Sequence, residues 1–361
     1  MSQVSKIDAL EEGVYALHRG STLWIDYFPA LVGAGPGQNV LAITFTERGN
    51  SELEGNGFGG GFLLGNGFDV LAIKSTSYLW FEELSDELVA ELQRFLEAGS
   101  YTARVAYGSS MGGYAAIRYA RAFRVNRVVA ISPLYDIRLP EDPRWLEDIP
   151  ALQRPTMMTS EEVMPLCEYS IIFDPVCPDL LQINRFREIL PAGQIHVVEI
   201  PDAGHPAEMF LHETGILKDL ALSLLLGLRK DLQNYAIDPR TSPTYLNNLA
   251  DRLFVSGKPG EALEPALAAH ALDPDNPENL TLIARIYDDL DESAEAERFA
   301  RRSMAIDATS PHRNTILVHI LAKKHEFKEA LEILEGVISL DPSIEHSHEL
   351  YADLSAKMPE P

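Results

Sequence analysis

The sequence predicts two bodies: an α/β unit, with a mostly parallel sheet and helices on both faces, followed by an all-α stack of repeated helix pairs. Three observations predict this. Over residues 1–230, short β-rich apolar runs alternate with amphipathic stretches of helical spacing, as strand–crossover–strand units require. Over residues 243–361, several residue types recur with one common period of 34 residues, and units of that length bury their apolar faces only against one another. Finally, 361 residues with 46% hydrophobic and 23% charged side chains suffice for two cores and exclude a disordered or fibrous chain.

Taken in order, the start MSQVSKIDALEEGVYAL carries Asp8, Glu11 and Glu12 where a signal peptide needs an apolar run. Val40–Thr46, Val70–Ile73, Arg104–Tyr107, Arg127–Ser132, Ser170–Phe173 and His196–Ile200 read as buried strands. Phe81–Glu97, Gly112–Phe123 and Leu180–Leu190 lie between them with helical spacing. The glycine-rich run Gly55–Gly67 lacks the Lys-Ser/Thr of a phosphate loop and reads as a mobile loop near the mouth of a site. Leu134–Pro165, rich in Pro, Asp, Glu and Met, breaks the alternation and sits where an inserted cap covers a site. Its Trp145, Met157, Met158 and Met164 either line an apolar pocket or pack the segment onto the core. The longest apolar stretch, Leu220–Leu228, is far shorter than the ~20 residues of a membrane-spanning helix, so a cytoplasmic location is expected.

Residues 231–242 are polar and carry Pro239, and read as a linker. Beyond it the repeats fall at 243–276, 277–310 and 311–344: Pro243, Pro277 and Pro311 share the 34-residue step, as do Ala262, Ala296 and Ala330, and Asp273, Asp307 and Asp341. Ala250 and Ala284 stand where paired helices approach closely, with Val318 at that place in the third repeat. Leu-Asp-Pro at 272–274 and 340–342 ends the second helix of a pair, because proline cannot continue it. Residues 345–358 read as a final capping helix over the last apolar face.

The chemistry concentrates at strand ends. Gly108-Ser109-Ser110-Met111-Gly112-Gly113 contains Gly-x-Ser-x-Gly between an apolar strand and a helical stretch. That context is a strand–turn–helix nucleophile elbow, in which side chains at 108 and 112 would meet backbone. A serine hydroxyl needs a base, and His205, in Pro-Asp-Ala-Gly-His-Pro after the last strand, is placed to supply it. His212 is its nearest rival but falls inside the following helix pattern. The acid that fixes the imidazole follows the strand at 170–173 and is Asp174 or Asp179, with Asp174 preferred because it leaves the strand directly while Asp179 stands where it would cap the next helix. An oxyanion calls for two N–H donors: Met111, after the nucleophile, and Thr46 or Glu47 in the loop after the strand at 40–46.

Through GSSMGG at 108–113, the strand-end Asp174 and Asp179, and Gly-His at 204–205, residues 1–230 resemble an α/β-hydrolase fold protein, and the C-terminal repeats resemble the tetratricopeptide family. The first resemblance implies a serine hydrolase that uses neither metal nor organic cofactor, acting on a small acyl ester or thioester. Acyl transfer by the same triad is the alternative within that chemistry, and a non-catalytic interaction scaffold the alternative outside it. The repeats imply a protein or peptide partner. A net charge of -24 makes nucleic acid and anionic membranes unfavourable partners. Two cysteines, Cys167 and Cys177, are too few for a disulfide-stapled scaffold and are expected as reduced thiols.

Overall fold

In the computed structural model the chain divides into two units between Ile237 and Asp238, and among the described residues nine strands form one mixed sheet in the first. The structure describes residues 8–11, 14–30, 35–342 and 345–357. In chain order the sheet unit runs β1 (Asp8–Glu11), β2 (Val14–Arg19), β3 (Leu23–Phe28), β4 (Val40–Phe45), α1 (Gly60–Gly65), β5 (Asp69–Ser75), α2 (Asp86–Ala98), β6 (Ala103–Ser109), α3 (Met111–Arg118), β7 (Arg127–Ile131), β8 (Glu168–Phe173), α4 (Asp179–Ile189), β9 (Ile195–Glu199), α5 (Glu208–Glu213) and α6 (Leu217–Leu225). The spatial order is β1-β2-β3-β5-β4-β6-β7-β8-β9. The first three strands run antiparallel and join β5; from β5 onward every pairing is parallel.

The parallel strands follow the apolar runs. All six residues of β4, VLAITF, are buried, as a strand covered on both faces demands. The antiparallel entry was not among the expected strands. Its pattern is obscured by charge: Asp26 in β3 is 3% exposed and is held by Lys74 Nζ of β5 at 2.8 Å and by Arg19 of β2. A buried carboxylate with two cationic partners is tolerated there, but it spoils the alternation by which a strand is read.

Helix bounds differ from the periodicity where side chains or backbone intervene. Helix α2 begins only at Asp86, because Ser85 Oγ accepts from the Leu88 N–H, with Asp86 and Glu87 in the first turn. The preceding Trp80 and Phe81, at φ 52° and 63°, turn into the core instead. The run Gly55–Gly67 holds a short helix rather than only a mobile loop: α1 buries Leu63 and Leu64, and the chain at Gly57 passes over Ala72 and Lys74 so closely that a Cβ there would lie 2.9 Å from Ala72 Cβ. Residues 134–165 contain only two 3-10 turns, Pro143–Trp145 and Ile149–Ala151. They are pinned by buried Ile137, Met158 and Val163. The expected linker carries 3-10 turns at Leu232–Asn234 and Pro239–Thr241.

The second unit is a run of helices α7 (Pro243–Val255), α8 (Pro259–Leu272), α9 (Pro277–Asp289), α10 (Ser293–Ile306), α11 (Pro311–Lys323), α12 (Phe327–Leu340) and α13 (Glu345–Ala356). Proline opens α7, α9 and α11, where the missing N–H has no acceptor to lose. Ser242 and Asn276 side chains cap the first two of these. Ala250, Ala262, Ala284, Ala296, Val318 and Ala330 are all 0% exposed, so the small side chains that recur in sequence are the ones that let helices approach. Among the described residues, no helix is long and apolar enough to cross a membrane.

Candidate active site

The parallel strands present their carboxyl ends to one edge, and the order reverses at β4, which lies between β5 and β6. Such an edge at a reversal point is where open α/β sheets form crevices. Phe45 of β4 stands beside Gly108 of β6 in register, which brings the loop after β4 next to the turn that follows β6. In that turn Ser110 takes φ 51° and ψ −115°, a sparsely populated conformation costing of order 1–3 kcal/mol. Its N–H donates to Ile131 O of β7 at 2.8 Å, which pins the turn to the sheet. Gly108 and Gly112 make the turn passable. A Cβ on Gly108 would sit 2.3 Å from the Gly112 carbonyl, and one on Gly112 would sit 2.4 Å from Phe45 O.

Ser110 Oγ lies 2.9 Å from His205 Nε2, across 95 residues of sequence. The other ring nitrogen, Nδ1, lies 2.9 and 3.0 Å from the two carboxylate oxygens of Asp179. Because an ionised carboxylate only accepts, Nδ1 carries the proton and Nε2 faces the serine as acceptor. Asp179 is 1% exposed. It is the first residue of α4, directly after Pro178 at the N-cap.

This corrects the preference for Asp174. Asp174 leaves β8 directly, as expected, but its carboxylate accepts from the Val176 N–H at 2.7 Å and the Gly204 N–H at 2.8 Å. It braces the loop that bears His205 and does not reach the ring nitrogen. Thr46 is corrected as well. Its N–H donates to Ile73 O at 3.3 Å and its hydroxyl exchanges bonds with Ser75 backbone, so it ties β4 to β5. The Met111 N–H opens α3 beside the serine and has no helix-internal acceptor. His212 sits within α5, as its spacing indicated.

Sequence reasoning missed what the inserted segment brings. Arg144 donates to both oxygens of Asp142 at 2.7 and 2.8 Å, and its Nη2 also donates to Asp179 Oδ1 at 2.9 Å. Gln182 of α4 donates to Asp142 Oδ2 at 2.9 Å and accepts from the Tyr135 and Asp136 N–H groups. The Trp145 ring stands edge-on to the His205 ring, 5.2 Å between centroids. Of the other apolar residues singled out there, Met158 is buried in the core and Met164 packs against it, while Met157 is exposed. The charge pattern Asp142-Pro-Arg144 was visible in the sequence; nothing in its spacing aimed it at Asp179.

Electrostatics follow from these contacts. Burial disfavours the Asp179 carboxylate, but the bonds from His205 and the Arg144 guanidinium outweigh it and hold its pKa below the ordinary carboxylate value. For Asp174 burial wins, and its pKa is raised despite two backbone N–H donors. Burial, with the charge of Asp179, pushes the nearby Cys177 thiol up to about 12, so it is protonated at neutral pH. A hydroxyl, an imidazole and a carboxylate bonded in this order can pass a proton from oxygen to Nε2 while Nδ1–H stays on the carboxylate. Among the described residues, no three or more His, Cys, Asp or Glu side chains are grouped as a metal site.

No family model matches the chain, and no curated protein does. Solved structures match over its C-terminal helical part. The first TPR of Spaghetti (RPAP3), bound to an HSP90 peptide, is 22% identical, covers 32% of this chain and 94% of its own, with a TM-score of 0.31. The Arabidopsis OM64 TPR domain is 15% identical over 32% of this chain and 96% of its own, also at 0.31. The Yersinia enterocolitica type III secretion chaperone SycD, in complex with a peptide of the translocator YopD, is 18% identical over 31% of this chain and 91% of its own, at 0.29. The C-terminal helical part is thus similar to tetratricopeptide domains of known structure.

Proposed function

We propose that the first unit is a serine hydrolase of the α/β-hydrolase type, acting on an ester or thioester. The single observation that carries this reading is the hydrogen-bonded chain Ser110 Oγ, His205 Nε2, His205 Nδ1, Asp179, at 2.9 Å for each link. Ser110 Oγ attacks the acyl carbonyl carbon while its proton passes to His205 Nε2. Asp179 holds the Nδ1–H and balances the imidazolium. The tetrahedral oxyanion is received by the Met111 N–H and a second backbone N–H. Since the Thr46 N–H is taken by Ile73, the second donor falls to Glu47. His205 then gives its proton to the departing alkoxide or thiolate, leaving an acyl ester on Ser110. Water, deprotonated by His205, releases the acid and restores the serine.

Acyl transfer differs only in the acceptor that replaces water. A pure scaffold is disfavoured by the cost of the site: a strained serine and a buried carboxylate on a histidine serve no packing purpose that apolar side chains would not serve better. For the second unit we propose a protein or peptide partner, because stacked helix pairs present an extended surface. The hydrolase reading is tested with a series of p-nitrophenyl esters of increasing acyl length and the matching acyl thioesters. Turnover by the wild type that falls at least about 10³-fold in Ser110→Ala, with an unchanged circular dichroism spectrum, supports it. A Ser110→Ala variant that retains wild-type turnover removes Ser110 as nucleophile.

A further inference from the structure

Asp179 is held by donors of different origin: His205 from the loop after β9, and Arg144 from the inserted segment. Both bonds converge on Oδ1, at 2.9 Å each. Arg144 in turn is clamped by Asp142, which is 0% exposed and accepts a further bond from Gln182 at Oδ2. We propose that Arg144 is a positioning residue for the triad: delivered by residues 134–165, it fixes the carboxylate that orients His205 and sets how readily His205 takes a proton. This rests on the triad reading above.

Charge as well as geometry favours this role. With neutral His205, the group of buried Asp142, half-buried Arg144 and buried Asp179 carries one net negative charge. Protonation of His205 brings it to zero, so an imidazolium is supported when it forms. Without Arg144 the same ring would face two carboxylates with no cation between them, which favours the imidazolium over the free base that the reaction needs. The other charges around the ring do not supply the missing cation. Asp174 lies on the Gly204 N–H with Asp202 near it, and Glu208 follows in α5. The Cys177 thiol is neutral at working pH. Arg48, whose guanidinium lies 5.5 Å from the Trp145 ring, is engaged by Asp148 through two bonds.

The test uses the full chain with Arg144→Met, Arg144→Lys and Asp142→Asn. Two readouts are taken: the acid limb of the kcat/KM pH profile, and the titration of His205 followed by NMR of its ring C–H. Arg144→Met is expected to move both to higher pH by about one unit, and to lower kcat at neutral pH by up to about 100-fold with KM little changed. Arg144→Lys, which keeps the charge but not the fork, restores the limb while recovering only part of kcat. Asp142→Asn removes a negative charge and moves the titration the opposite way, which decides the matter if Arg144→Met does not fold. A His205 titration that is unmoved in Arg144→Met, or that moves upward in Asp142→Asn, overturns the proposal. If the wild type turns over no ester, the NMR titration still judges the role of Arg144, while the hydrolase reading fails separately.

Discussion

The two units satisfy their buried polar groups over very different distances along the chain. In the repeat unit, Thr281 Oγ1 donates to Pro277 O at 2.8 Å, one helical turn away, and Asn279 donates to Ala266 O in the helix before it. Apolar packing there is equally near: Ala250, Ala262, Leu280 and Ile283 belong to one cluster that continues from pair to pair. In the sheet unit, Ser110 meets His205 across 95 residues, and Arg48 meets Asp148 across 100. The first kind of body degrades gradually, because each repeat contacts only its neighbours. The second concentrates its polar chemistry where several loops must be right together, so that one displaced side chain undoes the site without undoing the fold.

The strongest way to break this comparison is at the two aspartates, five residues apart. Asp179→Asn is expected to lower ester turnover by about 10⁴-fold, the loss seen when a triad acid is neutralised elsewhere. Asp174→Asn is expected to keep most of the turnover. Because Asp174 accepts the Val176 and Gly204 N–H groups, Asp174→Ala is instead expected to cost about 1–3 kcal/mol of stability, measured by urea denaturation. Equal kinetic losses for the two Asn variants would show that the loop, and not one carboxylate, governs the site.

A second test is Gly112→Ala. Its Cβ would lie 2.4 Å from Phe45 O and 2.9 Å from Thr46 O, both backbone atoms that cannot swing aside. The end of β4 and the start of α3 must separate, and the two N–H groups proposed to receive the oxyanion, those of Met111 and Glu47, lie on or beside those two segments. Turnover is expected to be lost even in folded protein, checked by kinetics alongside thermal unfolding.

These residues also show how far the sequence could be read. The repeats were legible because their period is written in the sequence itself, and each position has the same neighbours in every copy. Ser110 and His205 were legible because an elbow and a loop after the final strand are local patterns. The choice between Asp174 and Asp179 was not, since it depends on how residues 174–178 turn before α4 begins. Arg144 lies still further from reach: its contact with Asp179 is set by how residues 134–165 pack, and that path has no periodicity. The antiparallel β1–β3 entry was hidden by Asp26, a buried charge whose partner Lys74 lies in another strand.

Acidification should separate the aspartates again, with smaller effect. The folded-state pKa of Asp179 is lowered, so this group contributes stability above its unfolded value near 3.8 and loses that contribution as pH falls through the folded value. The pKa of Asp174 is raised, so protonating it favours the folded state, and its contribution declines as pH rises through the folded value. Denaturation midpoints are therefore expected to fall less steeply in Asp179→Asn than in the wild type below about pH 4, and more steeply in Asp174→Asn between about pH 6 and 4. The smallest expected effect on chemistry comes from the other unit. Ala296→Leu overfills a 0% exposed position between helices and is expected to cost about 1–3 kcal/mol of repeat stability, with turnover of a small ester unchanged. A matching loss of turnover would mean that the two units do not act separately.

The central claim is that His205 and Asp179 make one hydroxyl, that of Ser110, nucleophilic. Reaction of the full chain with a fluorophosphonate, followed by intact mass and peptide mapping, tests it most directly. The account predicts a single adduct on Ser110, absent in Ser110→Ala and strongly slowed in His205→Ala and Asp179→Asn. Folded wild-type protein that takes up no adduct, or takes it up on the neighbouring Ser109, would contradict it.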